Sequence, residues 1–221
     1  MPLLVKFFAL AFSALLPLIN PLGSALVFLG IVGDAPAKVY RDLARRIAIN
    51  TTLFLVAIEL VGTAILSFFG ISLPVVQVSG GIVLAAMGWN LLNQGEPEVK
   101  REQEQLGTAK FDAWHQKVFY PFTFPITAGP GTIVVMLTLS AHASIKGVLP
   151  DIMAHVGIIL AVVVLSGCVL LSYSYAPKIT TRIPLQTAHG IRRVIAFVLL
   201  CIGVQITWNG LESMLRTLFR L

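Results

Sequence analysis

"LLPLINPLGSALVFLG", residues 15–30, lies within an apolar stretch long enough to cross a bilayer, yet it carries Pro17, Asn20, Pro21 and Gly23 near its middle. Hydrocarbon offers no water to backbone groups freed by a helix break, so such a break must face protein or a cavity. The surrounding charge-free run extends from residue 7 to residue 33, with Asn20 at its midpoint. Proline lacks a backbone donor and clashes with the preceding turn. It also pushes the residue before it away from the helical region, so Leu16 and Asn20 are predicted to be non-helical. Asparagine is a favoured N-cap and proline a favoured first residue. Asn20-Pro21 therefore reads as the start of a second half-helix.

The rest of the chain is equally apolar. Of 221 residues, 57% are hydrophobic and 12% charged, about half the roughly 25% charge of a soluble domain. Further charge-free runs cover 60–95, 118–145, 152–177 and 194–211. "FFGISLP", residues 68–74, divides the first of these by a turn. Six spans are predicted, at about 4–32, 43–69, 73–93, 119–141, 151–174 and 190–213. Each exceeds the roughly 20 residues needed to cross the hydrocarbon core. The apolar run after Lys6 continues without a polar segment or cleavage site, which favours a first span over a signal peptide. Cys168 and Cys201 fall within spans and read as small apolar residues, so no metal or cofactor is predicted. The net charge of +6 sits in loops rather than on a soluble face, so no nucleic-acid partner is expected.

Those loop charges set an orientation. Lys38, Arg41, Arg45 and Arg46 follow span one, Lys100, Arg101, Lys110 and Lys117 follow span three, and Lys178, Arg182, Arg192 and Arg193 follow span five. The opposite side holds only Lys6, Lys146, Arg216 and Arg220 of the 16 Lys and Arg residues. Loops 33–46, 94–118 and 176–193 are thus expected in the cytoplasm of a bacterial or archaeal plasma membrane, with both termini outside. The two halves also match weakly: "PLINPLG" (17–23) with "PITAGPG" (125–131), "LVGTAIL" (60–66) with "LSGCVLL" (165–171), and "GIVLAAMGWN" (81–90) with "AFVLLCIGVQ" (196–205). A three-span unit repeated once must enter the membrane from opposite sides, an inverted duplication. The predicted fold is an all-α membrane protein of two inverted three-helix repeats, 1–93 and 119–221, joined by a solvated linker at 94–118. Spans one and four are broken at mid-membrane.

The second break mirrors the first. Phe124 and Gly129 precede prolines, and Gly129-Pro130 reads as another half-helix start. Each start presents unpaired N–H groups and about half a unit of positive charge. From opposite faces, the two would hold a carboxylate. Gly23, Gly129 and Gly131 permit close backbone approach, and Ser24, Thr123, Thr127 and Thr132 supply hydroxyls. Carbonyls near Leu18, Ile19, Pro125 and Ile126 could accept from an ammonium group. Donors at one edge and acceptors at the other suit a zwitterion, and a small neutral amino acid fits best. The absence of Lys or Arg deep in a span disfavours a second carboxylate.

"LLPLINPLGSALVFLG" and "FPITAGPGTI" resemble the paired signatures of the MarC family of integral membrane proteins, and the similarity runs along nearly the whole chain. The family's NPxG pattern falls on Asn20, Pro21 and Gly23, and its TAGPGT pattern on Thr127, Ala128, Gly129, Pro130, Gly131 and Thr132. The resemblance implies transport of small neutral amino acids such as glycine and alanine, coupled to a cation gradient of protons or sodium, with export proposed for some members.

Glu59 is the one acid well inside a span, where an ionisable group is a functional candidate by default. It reads equally as a proton carrier or as a carboxyl bonded to a neighbouring helix. His155 reads as a packing histidine, with a proton relay as the lesser alternative. Asn90, Asn93, Gln205 and Asn209 read as interhelical hydrogen-bonding groups, and Gln77 lies near the outer surface of the membrane. A channel or an exporter of another small solute is the alternative to a carrier. An enzyme is disfavoured, since no convergent set of acids, bases or metal ligands appears. Small-residue faces such as "GGIVLAAMG" at 80–88 leave a homo-oligomer open.

Overall fold

The computed structural model describes residues 2–33, 35–93, 118–178 and 185–219. They form α1 (Leu3–Ile19), α2 (Pro21–Val32), α3 (Ala37–Phe68), α4 (Leu73–Asn93), the irregular helical coil α5 (Val118–Thr127), α6 (Pro130–Ala143), α7 (Val148–Ser174) and α8 (Leu185–Phe219). No strand occurs among the described residues. Five segments are long and apolar enough to cross a bilayer: α1–α2 taken together, α3, α4, α7 and residues 193–219 of α8. The pair α5–α6, bent by 70°, makes a sixth if counted as one span. The linker predicted at 94–118, apart from Val118, lies outside the described residues.

Two expectations are corrected. Leu16 stays helical and Pro17 lies inside the last turn of α1. A proline so near a helix end costs one ladder bond rather than a broken helix, and α1 ends two residues later. The loop expected at 33–46 shrinks to residues 33–36, because α3 starts at Ala37 directly after Pro36. Lys38, Arg41, Arg45 and Arg46 therefore ride on the first turns of a 32-residue helix. An i,i+4 pair, Arg46 Nε to Asp42 Oδ2 at 3.0 Å, supports those turns. Helix also covers 185–193 of the loop expected at 176–193.

The core runs between α1, α2, α3, α5, α6 and α7. Phe7, Ala11, Leu15 and Ile19 repeat at four-residue spacing along α1 and are buried, against the face of α7 carrying Ala154, Ile158, Ala161 and Leu165. A side chain at Gly157 would lie 2.6 Å from the Leu4 carbonyl oxygen, so α1 and α7 approach backbone to backbone. Away from this core, α4 and α8 pack chiefly on each other. A Cβ at Gly203 would lie 2.3 Å from the Ala85 nitrogen, and one at Gly88 2.6 Å from the Leu200 nitrogen. Gly210 meets Pro74 and Val78, Gly81 meets Gly203, and Gly88 meets Ala196. Partners thus fall along α8 as they rise along α4, and the two helices run antiparallel. Small residues give such contact where lipid supplies no hydrophobic drive.

Candidate functional site

The chain between α1 and α2 turns on Asn20, which holds the left-handed conformation at φ 43° and ψ 66°. Its N–H still bonds the Leu16 carbonyl at 2.9 Å. Its Oδ1 accepts from the Gly23 N–H at 3.1 Å. Asn20 therefore ends one helix and caps the next, as its short polar side chain allows. A Cβ at Gly23 would lie 2.1 Å from Asn20 Nδ2, so this glycine makes room for the cap. The Ser24 hydroxyl turns back to the Ile19 and Asn20 carbonyls at 3.1 and 2.8 Å.

The second half is built from a tandem "YPFT-FPIT", residues 120–127. Tyr120 and Phe124, each preceding a proline, are extended at φ −118°, ψ 124° and φ −123°, ψ 129°, as that position favours. Each four-residue unit ends in a threonine whose hydroxyl bonds the carbonyl five residues back. Thr123 reaches Val118 at 2.9 Å and Thr127 reaches Phe122 at 2.6 Å. Gly129 is extended (φ −79°, ψ 178°) and Pro130 opens α6. The tandem was not recognised in the sequence, although its spacing is visible there.

Tyr173, near the end of α7, joins the two breaks. Its hydroxyl lies 2.8 Å from Thr127 Oγ1. Its ring stacks on Phe28 of α2 at 4.5 Å between centroids, and Phe28 meets Phe122 edge-on at 5.3 Å. Thr123, Thr127, Thr132, Ser24 and Tyr173 are all buried. Sequence reading missed Tyr173, because "SYSY" at 172–175 carries no local motif. Four contacts share the three hydroxyl protons of Ser24, Thr127 and Tyr173. The cluster is richer in acceptors than in donors. Gly131, beside Leu18, has its Cβ position filled by Leu84 Cδ1 at 2.4 Å. Gly129 is more open, with the Pro125 oxygen 3.2 Å and Met87 Cε 3.9 Å from such a Cβ. A cleft of about 390 Å³ on the other side of α6, between α4 and Pro130, is lined by Val75, Ser79, Gly80 and Val134 among others. Its lining is apolar apart from Ser79.

Glu59 belongs to a separate cluster. It is buried, and its Oε1 lies 2.7 Å from His155 Nδ1. The Ser140 hydroxyl holds the Glu59 carbonyl at 2.8 Å. His155 and Tyr173 are eighteen residues apart on α7, about 27 Å at 1.5 Å per residue. Glu59 is therefore remote from the hydroxyl cluster. Asn90, Asn93, Gln205 and Asn209 are exposed, and two hydrogen bonds stay within their own helices: Asn93 to the Trp89 carbonyl and Gln205 to Asn209. Gln77, in the first turns of α4, is buried. Among the described residues no group of three or more His, Cys, Asp or Glu could hold a metal.

The family model for MarC integral membrane proteins matches residues 5–215. The chain belongs to the MarC family. The inner membrane protein MarC of Salmonella paratyphi A is 29% identical over 97% of this chain and 98% of its own. A membrane protein of Methanocaldococcus jannaschii is 30% identical over 96% of this chain and 98% of its own. One of Pyrococcus horikoshii is 25% identical over 95% and 96%. No solved structure matches the chain. As a MarC family member with several apolar helices, the chain is an integral membrane protein.

Proposed function

We propose that this MarC family protein is a secondary transporter of small neutral amino acids of the alanine and glycine class, working by alternating access. The observation that carries the reading is Tyr173, whose hydroxyl bonds Thr127 at one helix break while its ring stacks on Phe28 of α2, the half-helix that starts at the other. The helix starts at Asn20-Pro21 and Gly129-Pro130 offer N–H groups and positive dipole ends to a carboxylate. The surplus of acceptors among Ser24, Thr127 and Tyr173 suits the donors of an ammonium group. Those hydroxyls bond one another or backbone carbonyls, and a substrate would replace those contacts.

Inversion of the halves has its own support. Sequence pairing sets Gly88 over Gly203, Gly81 over Ala196 and Ala85 over Leu200. Gly88 packs on Ala196 and Leu200, and Gly203 on Gly81 and Ala85. These are one contact with the halves exchanged, as a two-fold axis between antiparallel helices requires. The two breaks then belong to equivalent spans and face one midplane site, the arrangement of inverted-repeat transporters. The three basic segments of the sequence, after spans one, three and five, favour the cytoplasm for those connections and both termini outside. Coupling to a proton would run through Glu59; sodium is the alternative ion.

Uptake of labelled alanine and glycine into proteoliposomes, with and without an imposed pH gradient, tests the reading. Saturable uptake with counterflow is expected. Losing a hydrogen bond to a charged ligand group costs about 1.5–3 kcal/mol, so Ser24→Ala or Thr127→Val should weaken apparent affinity about tenfold or more. Unitary currents without counterflow would replace the carrier by a pore. Folded protein that takes up neither amino acid would remove this substrate class.

A further inference from the structure

We infer that Asp151, His155 and Glu59 form a proton relay that loads Glu59 from the end of the bundle where α3 finishes and α7 begins; the inference rests on the transport reading above. Side-chain exposure rises along the three groups, from 0% for Glu59 through 22% for His155 to 40% for Asp151. Glu59 Oε1 and His155 Nδ1 are 2.7 Å apart, and His155 Nε2 lies 3.9 Å from Asp151 Oδ1. The last distance exceeds a hydrogen bond. Asp151 sits one turn before His155 and is partly exposed, so the gap is of the width that one bridging water spans. Its Oδ1 accepts from the Ile145 N–H at 3.1 Å, which fixes the carboxyl over the α6–α7 connection and leaves its other oxygen to water.

A static buried ion pair would satisfy both carboxylate oxygens. Glu59 Oε2 is buried with no hydrogen-bond partner, so among the described residues the carboxyl has one hydrogen bond, to His155. That contact serves both protonation states, because a carboxylate accepts from Nδ1–H and a carboxylic acid donates to bare Nδ1. One proton moves as follows. Asp151, protonated from water, gives its proton to Nε2 of neutral His155, and Nδ1 passes its own proton to Glu59 Oε1. Asp151 is left ionised, His155 neutral with the proton on Nε2, and Glu59 neutral; tautomer exchange resets the ring. The other titratable groups on elements packed around this half of α3 are Lys6 of α1, His142 of α6 and Lys146 after α6. All three are exposed, and His142 Nδ1 is engaged by the Thr138 carbonyl at 2.7 Å. Glu59, His155 and Asp151 alone form a continuous line from surface to interior among these groups.

The test follows Glu59 itself, without substrate. In the full chain reconstituted in nanodiscs, the infrared carboxyl band that Glu59→Gln abolishes is followed after a rapid pH jump. A relay predicts that His155→Ala and Asp151→Asn slow the response of this band by about tenfold or more, with added imidazole restoring the rate in His155→Ala. Asp151 is partly exposed, so its isosteric variant keeps the test open should His155→Ala not fold. Unchanged rates in both variants, or no rescue by imidazole, would overturn the relay. If the band slows but wild-type protein carries no alanine, the relay stands and the substrate reading falls. If alanine is carried and the band is indifferent to both variants, the reverse holds.

Discussion

A methyl group added at Gly131 would sit 2.4 Å from Leu84 Cδ1 and 3.4 Å from Leu18 Cδ2. The residue lies in the first turn of α6 beside the first break, so the same glycine is read either as a door for substrate or as a socket for Leu84. The two readings part in the double variant. Gly131→Ala alone should destabilise by about 1–3 kcal/mol through overpacking. Adding Leu84→Ala should return transport as well as stability if the socket is the reason for glycine, although the leucine truncation carries its own cavity cost. Thermal unfolding in detergent gives the stability arm, and uptake gives the other. Recovery of stability without recovery of transport would return Gly131 to the substrate path. In the sequence the glycine is visible but the atom facing it is not. The same limit hid Tyr173, since "SYSY" holds two tyrosines two positions apart and only packing decides that Tyr173 turns inward while Tyr175 is exposed. It also hid the pairing of Glu59 with His155, 96 residues away.

Among the elements, the breaks were the most legible, because proline and glycine act through the local backbone. Asn20, Phe124 and Gly129 depart from the helix as the residues around them dictate. Leu16 does not, since a proline in a final turn can be absorbed. The α4–α8 pair was legible only as a run of small residues, and its partner had to come from the structure. That pair makes a sharp contrast between glycines. A Cβ at Gly203 meets the Ala85 backbone nitrogen at 2.3 Å, whereas one at Gly167 of α7 meets nothing within 4 Å. Backbone cannot swing aside as a leucine tip can, so Gly203→Ala must push the helices apart. Its cost should reach about 3 kcal/mol, the upper part of the overpacking range. Gly167→Ala should stay within about 0.5 kcal/mol of the parent. Chemical denaturation of the two variants side by side measures the difference. Equal stabilities would mean that α4 and α8 are not in backbone contact in the membrane.

At the scale of the molecule, everything turns on whether the bent pair α5–α6 crosses the membrane or returns to the side from which it came. A crossing gives six spans and two equivalent halves; a return gives five and no inversion. Several contacts bear on this. α1 and α7 begin at the same end of the bundle, since Gly157 lies against Leu4 and Phe8. The later part of α3 reaches that end too, through Glu59 and His155. Lys146, just before α7, should then share a face with Lys6, while Lys38 at the start of α3 lies some thirty residues away along a helix about 48 Å long. The two native cysteines are first replaced by Cys168→Ala and Cys201→Ala. Lys6→Cys, Lys38→Cys and Lys146→Cys are then introduced singly, at positions that are all exposed. A membrane-impermeant maleimide applied to intact cells should label the first and third, and Lys38→Cys only after permeabilisation. The opposite pattern would turn the protein over but keep the inversion. Labelling of Lys38→Cys and Lys146→Cys from one side would make α5–α6 a re-entrant loop. The two-fold exchange at Gly88 and Gly203 would then lose its meaning, and the carboxylate site between opposed helix starts would lose its second half.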